Sequence, residues 1–385
     1  MRIMLFSSQL WNVLIYARAF TRLDHDFIIV TLVPLHQKAI YERQFSRFEH
    51  IESSNVRFSP IFLRATDDRL SNLLNPFVML HDFAAIFRTL NKFRPDAIIG
   101  KYILHAYPLA LLRRVLNFTL FVIVSGGDLE LSQGVVWRII RKFVCANSKR
   151  VFAVANRLKR ELEEETRCRA LVFPTGADTD CFKPLGKVSL REKHGYRTDD
   201  IIVLTLCQLL PRKCIDDIIR AFRILKNTHR QNLKLIIAGD GPERVKLEQL
   251  CSELQLEEDV SFLGFVDKTE KLELFNIADI YVIASYQEGL PFSLTEAMSC
   301  GCVCIASRVG DISAVIDDGV NGFLITPREP EALATKMGQV MSLPREEVLS
   351  IKRQARRRIV ERFDFTRSTR AMIEVVATNT TQVRR

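Results

Sequence analysis

The sequence predicts an α/β fold made of two doubly wound domains. Its 385 residues are many for one hydrophobic core, and a hydrophobic content of 48% is enough to fill two. Short apolar runs rich in Val, Ile, Leu and Phe alternate with stretches of helical periodicity along most of the chain. Gly and Pro follow several of these runs, as they do where strands of a parallel sheet lead into helices.

Seven buried strands are predicted in the first half, and they define a first domain over residues 1–186. They are Arg2–Phe6, Phe27–Leu32, Val56–Leu63, Ala97–Gly100, Leu120–Val124, Val151–Ala155 and Ala170–Phe173. The segment from Phe173 to Leu185 combines turn residues with a break in periodicity, which predicts a connection between domains.

Six more strands are predicted in a second domain over residues 187–344. They are Ile201–Leu206, Leu233–Ala238, Val260–Phe262, Ile280–Ala284, Cys302–Ala306 and Phe323–Ile325. Residues 345–385 are predicted to form basic helices that cross back to the first domain.

The segment from Ala278 to Ser307 reads as strand, loop, helix and strand. Pro291 suits the first helical position because its missing N–H would have no partner there, and Ser293 is a candidate cap. Gly301 is the expected end of the helix before the next buried strand.

The loop of this segment is predicted to bind a ligand. In open α/β folds, ligands lie at the carboxyl ends of the strands, where the free N–H groups of a helix N-terminus attract anions. Glu288 and Glu296 flank this place with seven residues between them, and both carboxylates can accept hydrogen bonds from hydroxyls. A phosphate beside a polyhydroxy group indicates a sugar nucleotide.

The letters "EGLPFSLTEAMSCG" resemble the Glu-x7-Glu motif of retaining glycosyltransferases with the GT-B fold, known as glycosyltransferase family 4 or glycosyl transferases group 1. The resemblance covers most of the chain from about Arg150 and is weaker before it. It implies two Rossmann-like domains facing across a cleft, with the donor on the second and the acceptor on the first. The implied reaction moves a sugar from a nucleotide-diphosphate sugar to a glycan or lipid-linked acceptor, without a metal or other cofactor.

The resemblance also implies roles for individual residues. Lys213 would neutralise the leaving diphosphate, Glu288 would bind the transferred sugar, and Glu296 would bind the ribose. Asp128 would bind the acceptor or, alternatively, cap the next helix. Further substrate contacts are implied for Gln208, Arg212, Gly239, Gly241, Gly289, Leu290, Pro291, Phe292 and Ser293.

Several positions depart from the family pattern. Gln208 stands where an arginine is usual, Cys214 replaces a glycine, and Ser125 occupies the place of a histidine. The loop "SSQLWNV" after the first strand has no glycine. The missing arginine means that diphosphate binding is weaker, that Arg212 compensates for Gln208, or that the chain is an inactive relative that binds a nucleotide sugar or a partner enzyme.

The net charge of +10 is unevenly distributed. It is +9 for residues 1–186, −5 for residues 187–344 and +6 for residues 345–385. The basic ends favour contact with an anionic membrane surface, with a solvated helix face as the alternative. No recognisable nucleic-acid-binding motif accompanies the charge, so nucleic acid is not an expected partner.

The nine cysteines are expected to be reduced thiols. Cys300, Cys302 and Cys304 lack the paired spacing of a metal site and are predicted to be core residues. Polar residues interrupt the apolar start of the chain, which predicts a buried strand rather than a signal peptide. The expected location is the cytoplasm, with peripheral attachment to the inner face of the membrane as a further expectation.

Overall fold

The computed structural model of the chain describes residues 1–7, 16–21, 23–34, 38, 55–63, 76–130, 134–229 and 232–381. The glycine-free loop that follows the first strand lies outside them from Ser8 onward. The chain divides into two compact units. The first comprises Met1–Pro174 and Thr366–Arg385, and the second comprises Thr175–Phe365.

This division differs from a boundary after residue 186, because the preceding residues bond to the second unit. The Ala177 N–H donates to the carbonyl of Phe363 at 3.0 Å, and the Leu185 N–H donates to Asn276 Oδ1 at 2.6 Å. Residues 345–365 also belong to the second unit. Bonds between residues far apart in the chain leave no local sequence pattern.

The described strands of the first unit form one parallel sheet in the order β3-β2-β1-β4-β5-β6-β7. They are β1 Arg2–Ser7, β2 Asp26–Pro34, β3 Val56–Leu63, β4 Ala97–Lys101, β5 Thr119–Val124, β6 Arg150–Ala153 and β7 Ala170–Val172. Each strand predicted in the first half is present. Its helices are α1 Pro76–Phe93, α2 Ile103–Leu112, α3 Gly127–Glu130, α4 Val135–Ala146 and α5 Asn156–Thr166.

The strands of the second unit also form a parallel sheet, in the order β10-β9-β8-β11-β12-β13. They are β8 Ile201–Leu206, β9 Leu233–Ala238, β10 Val260–Gly264, β11 Ile280–Ile283, β12 Val303–Ser307 and β13 Phe323–Ile325. The order reverses between β8 and β11, which is the arrangement of a Rossmann sheet. All six predicted strands are present.

Helices follow most of these strands. They are α6 Lys187–Lys193, α7 Ile215–Thr228, α8 Arg244–Glu253, α9 Lys268–Ile277, α10 Phe292–Ser299, α11 Ile312–Val315, α12 Pro330–Met341 and α13 Arg345–Arg362. A 3₁₀ turn spans Pro211–Lys213, and α14 spans Phe365–Thr381. From Thr366 onward, α14 belongs to the first unit.

The second sheet has an apolar core on each face. Val203, Leu235 and Ile237 belong to one buried cluster, whereas Ile202 and Ile236 belong to the other. Because successive residues of a strand point to opposite faces, strands covered on both sides become continuous apolar runs. This pattern is why they were readable from the sequence.

Helix α10 begins one residue later than predicted. Pro291 is its cap rather than its first helical residue, and Ser293 is inside the helix and caps nothing. The extended backbone of Pro291, with ψ 128°, keeps it outside the first turn. Gly301 ends the helix as expected, with φ +77° and its N–H bonded to the Met298 carbonyl at 3.0 Å.

Two of the arginines in the basic C-terminal segment bond to the second unit's own backbone. Arg356 Nη1 donates to the carbonyls of Ser299 and Phe182 at 2.6 and 3.1 Å. Arg358 Nη2 donates to the carbonyl of Ala314 at 2.9 Å. These two side chains therefore serve the fold. Among the described helices, none is both long enough and apolar enough to cross a membrane.

Two glycines allow the loops that follow β8 and β9 to run side by side. Gly239 has φ +128°, and an added Cβ would lie 1.8 Å from the carbonyl oxygen of Cys207. A Cβ on Gly241 would lie 2.5 Å from the carbonyl oxygen of Leu209. The backbones approach too closely for any other residue.

Replacing Gly239 by alanine should therefore destabilise the protein, by about 2 kcal/mol or more, through positive φ and a backbone clash. The matched control is Gly289→Ala, since a Cβ there meets nothing within 4 Å. Chemical denaturation of both variants measures the difference. Equal stability of the two would contradict the close approach of the loops.

Candidate functional site

A pocket lies at the strand-order reversal of the second unit. Loops that leave neighbouring strands in opposite directions open a crevice at such a point. The residues that line it come from the ends of β8 and β11 and from the segments that follow these strands. They are Thr205, Leu206, Cys207, Lys213, Ile215, Ile283, Ala284, Ser285, Glu288, Pro291 and Ser293.

Lys213 and Glu288 form an ion pair within this pocket. Lys213 ends the 3₁₀ turn after β8, and Glu288 lies in the loop after β11. The exposed fractions of their side chains are 12% and 7%. A pair so shielded from water interacts more strongly than one at the surface. The sequence predicted both residues as catalytic, and the fold brings their side chains together.

A hydroxyl group fixes the carboxylate of this pair. Ser285 Oγ donates to Glu288 Oε1 at 2.8 Å, and Ser285 is itself buried. The sequence analysis missed Ser285. Its one available signal was that it is the first polar residue after the buried strand β11.

Arg212 adds a second cation beside Glu288. Its Nη1 lies 3.6 Å from Glu288 Oε2 and donates to the Gln287 carbonyl at 3.2 Å. Gln208 is exposed and does not line the pocket. Arg212 is therefore the better placed of these two residues to supply the second positive charge.

The N-terminus of α10 faces the same pocket through Pro291 and Ser293. The structure records no hydrogen-bond partner within the described residues for the backbone N–H groups of Phe292 and Ser293. The first N–H groups of a helix have no partner within the helix and carry a partial positive charge. A cation, a carboxylate and a helix N-terminus thus meet in one place.

Glu296 lies elsewhere on α10. It is only 3% exposed, does not line the pocket, and forms an ion pair in which Lys271 Nζ lies 2.9 Å from Oε1 and 2.8 Å from Oε2. The two glutamates that flank the loop therefore have different surroundings.

Of the glycines predicted to contact the substrate, Gly239 and Gly241 have packing roles, and the structure shows no such role for Gly289. Gly239 and Gly241 allow the loops after β8 and β9 to meet, while Gly289 and its neighbour Leu290 do not line the pocket. Gly310 was not singled out by the sequence. A Cβ on Gly310 would lie 1.9 Å from the Glu288 carbonyl oxygen, so this glycine lets the loop after β12 support the loop of Glu288.

Asp128, the site residue predicted in the first unit, is occupied by backbone groups. Its Oδ1 accepts from the Ile103 N–H at 2.8 Å and its Oδ2 from the Ser125 N–H at 2.9 Å. It therefore caps the start of α2, a helix that precedes it in the chain, whereas the structural alternative considered for it was a cap on the helix that follows.

Lys101 lies beside this cap at the carboxyl end of β4 and is only 4% exposed. Its Nζ is 5.5 Å from the ring centroid of Tyr16 and 5.3 Å from that of Tyr102. Burial lowers the pKa of Lys101 to about 7, and the nearby charge of Asp128 partly offsets this effect. The sequence analysis missed this lysine because it ends an apolar strand.

The thiols near the pocket are neutral. Burial raises the pKa of Cys207 to about 11, with Lys213 opposing the shift. Within the described part of the chain, no group of His, Cys, Asp or Glu side chains is arranged to hold a metal ion.

Residues 187–358 match the family described as glycosyl transferases group 1. Over 156 residues the chain is 35% identical to an uncharacterised glycosyltransferase of Methanocaldococcus jannaschii, a match that covers 40% of each chain. It is 29% identical to D-inositol 3-phosphate glycosyltransferase 2 of Catenulispora acidiphila, over 44% of this chain and 42% of the relative. These matches span about half or less of the length of the curated relatives.

The crystal structure of HepE from Anabaena in complex with UDP and glucose superposes with a TM-score of 0.77 at 19% identity. The superposition covers 98% of this chain and 100% of that one. Together with the two Rossmann-like sheets, this likeness defines the fold as GT-B. The match to the glycosyl transferases group 1 family lies within the second unit.

A pH dependence of stability follows from Lys101. The pKa of Lys101 is about 7 in the folded state and has the ordinary lysine value of 10.5 in the unfolded chain. Between these two pH values, Lys101 is protonated in the unfolded chain and neutral in the folded protein. Stability contributed at this site therefore rises with pH across that window. Replacing Lys101 by methionine should raise the free energy of unfolding by up to about 4 kcal/mol at pH 6, and by less at pH 9.

Denaturation at the two pH values measures this difference. Lys92→Met, in an exposed position at the end of α1, is the control and should show no comparable change with pH. A stabilisation by Lys101→Met that is equal at pH 6 and pH 9 would refute the burial of a titrating ammonium.

Proposed function

We propose that the protein is a retaining glycosyltransferase that moves a sugar from a nucleotide-diphosphate sugar to a glycan or lipid-linked acceptor. One observation carries the proposal: Lys213, Glu288 and the N-terminus of α10 converge on one pocket at the carboxyl ends of a parallel sheet. These groups match the two halves of such a donor, since cations and helix N–H groups bind diphosphate and a carboxylate binds hydroxyls. The UDP and glucose named for HepE support this donor class.

The ion pair suggests how the donor enters. Without a ligand, Lys213 and Glu288 neutralise each other. The two negative charges of a diphosphate would attract Lys213 and Arg212, and Glu288 would then accept hydrogen bonds from sugar hydroxyls. Ser285 would keep the Glu288 carboxylate oriented during this exchange.

Charge develops on the diphosphate as the bond to the sugar breaks. Lys213 and the N–H groups of Phe292 and Ser293 are fixed donors that would stabilise this charge. An acceptor hydroxyl that attacks from the face the diphosphate leaves would retain the configuration without a protein nucleophile. Glu296 is assigned to the ribose through the family resemblance, and its pairing with Lys271 would hold the carboxylate in place.

The alternative of an inactive relative finds less support. It was suggested by Gln208, Ser125 and the glycine-free first loop. For Gln208, Arg212 lies 3.6 Å from Glu288 Oε2 and supplies a second cation. The pair of Lys213 and Glu288 is also assembled. A relative that binds only a partner enzyme has no need of this arrangement, and a donor-hydrolysis assay separates an enzyme from a relative that binds a nucleotide sugar without transferring it.

A membrane surface is proposed as the place of the acceptor. Helix α4 exposes Val135, Val136 and Ile139 by 71%, 61% and 61%. Arg138 and Lys142 are exposed on the same helix. Apolar side chains interspersed with cations on a solvent-facing helix suit the interface of an anionic bilayer.

The donor assignment is tested by Lys213→Ala. Its loss should lower turnover of the preferred nucleotide sugar about a hundredfold or more, because a fixed charge opposite the leaving group is removed. A panel of nucleotide sugars in a thermal unfolding assay identifies the donor beforehand. Lys246→Ala, which removes a lysine that is 74% exposed in the same unit, is the control. Full turnover by Lys213→Ala would overturn the site.

The two glutamates should differ in steady-state kinetics. Glu288 contacts the sugar, whose charge changes in the transition state, so Glu288→Gln should lower kcat. Glu296 contacts the ribose, which is bound alike throughout, so Glu296→Gln should mainly raise KM for the donor. A lost hydrogen bond to a charged group changes the affected constant about tenfold or more. Near-normal kcat and KM in both variants would contradict the assignment of Glu288 to the sugar and of Glu296 to the ribose. Circular dichroism is the control for folding of the variants.

Sedimentation with vesicles tests the membrane surface. Binding to anionic phosphatidylglycerol vesicles should fall about tenfold or more in the variant Val136→Asp/Ile139→Asp, since each lost apolar contact is worth about 1.5–3 kcal/mol when fully buried. Val245→Asp in the second unit, where the residue is 63% exposed, is the matched control. Equal binding to neutral and anionic vesicles would count against a membrane contact through α4. Equal binding by Val136→Asp/Ile139→Asp and Val245→Asp would also count against it.

A further inference from the structure

Lys101 stands out among the buried cations of the first unit. It ends β4, next to the strand-order reversal between β1 and β4, where a doubly wound sheet receives ligands. Apart from the faces of Tyr16 and Tyr102, the structure records no hydrogen bond or ion pair for its ammonium among the described residues. Its side chain is more than nine-tenths buried.

Another buried cation of the same unit is fully paired. Arg141, also 4% exposed, donates to both carboxylate oxygens of Glu165 at 2.8 and 3.0 Å and to the carbonyl of Asp128 at 3.1 Å. Pairing of this kind offsets the cost of removing a charge from water. Lys101 has no such compensation, and the carboxylate nearest to it, Asp128, is already held by two backbone N–H groups.

A buried ammonium with three donors and no acceptor costs stability. Burial lowers its pKa to about 7, so it gains a full charge when an anion approaches. The other titratable groups recorded against it are Tyr16, Tyr102 and Asp128. An anionic ligand would supply the missing acceptor.

We propose that Lys101 binds a phosphate group of the acceptor at the carboxyl end of the first unit's sheet. This inference rests on the proposed function and deepens it, because it gives the acceptor a chemical class. The class is a hydroxyl compound that carries a phosphate monoester. The phosphate can belong to a small soluble molecule or to a lipid headgroup.

Calorimetric titration with inorganic phosphate tests the site. The full chain carrying Lys213→Met is used throughout, so that phosphate binding at the donor pocket is suppressed. Adding Lys101→Met should weaken phosphate binding about tenfold or more, as expected for the loss of a charge-assisted hydrogen bond. Adding Lys92→Met instead should leave the dissociation constant unchanged. Lys101→Gln repeats the test with an uncharged polar residue.

A second arm distinguishes the source of the phosphate. Vesicles of phosphatidylcholine with one part in five phosphatidic acid are sedimented with the same variants. If Lys101→Met abolishes phosphate binding alone, the acceptor is a soluble phosphate ester, and if it also abolishes phosphatidic-acid binding, a lipid-carried phosphate fits. Unchanged affinity for both probes on replacing Lys101 overturns the proposal.

A third measurement separates this inference from the proposed function. Binding of UDP to the single variant Lys101→Met should equal that of the wild type, because Lys101 is not in the second unit. Absence of UDP binding in both proteins would sink the donor assignment and leave the phosphate result standing. Equal UDP binding with unchanged phosphate binding would sink only the site at Lys101.

Discussion

The reversal of strand order within each parallel sheet is the constraint on which the sites depend. A right-handed crossover places its helix on one face of the sheet, and the reversal sends the next crossover to the other face. In the second unit, the loops after the two central strands therefore diverge and leave a space between them, which holds the carboxylate of Glu288. In the first unit, Lys101 ends a strand beside the reversal.

The two reversal points are electrostatically different. In the second unit, positive and negative side chains already balance, so a ligand has to exchange partners with them. In the first unit, the carboxylate of Asp128 near Lys101 accepts hydrogen bonds from backbone groups, and the structure records no ion pair for Lys101 in the described residues. A donor with both hydroxyls and phosphates fits the site in the second unit, whereas an anion fits the site in the first unit.

Much of the fold was predictable from the sequence because the sheets are covered on both faces. A short, nearly continuous apolar run such as Ile201–Leu206 predicts a buried strand. The family resemblance implied separate roles for Lys213 and Glu288 but did not predict their ion pair. Ser285, Gly310 and Lys101 escaped notice, because their roles depend on contacts between residues distant in sequence. The unit boundary was missed for the same reason, since the bond between Ala177 and Phe363 has no local signature.

The contact of Arg356 with the end of α10 bears on how the chain can be divided. The N-terminus of α10 faces the pocket, while the carbonyl of its last residue, Ser299, is held by Arg356 from α13. A fragment that stopped at residue 344 would contain every pocket residue and still lack this anchor. Recombining halves of related chains should therefore place the junction beyond Phe365, so that the second unit keeps the helix that steadies its ligand-facing one.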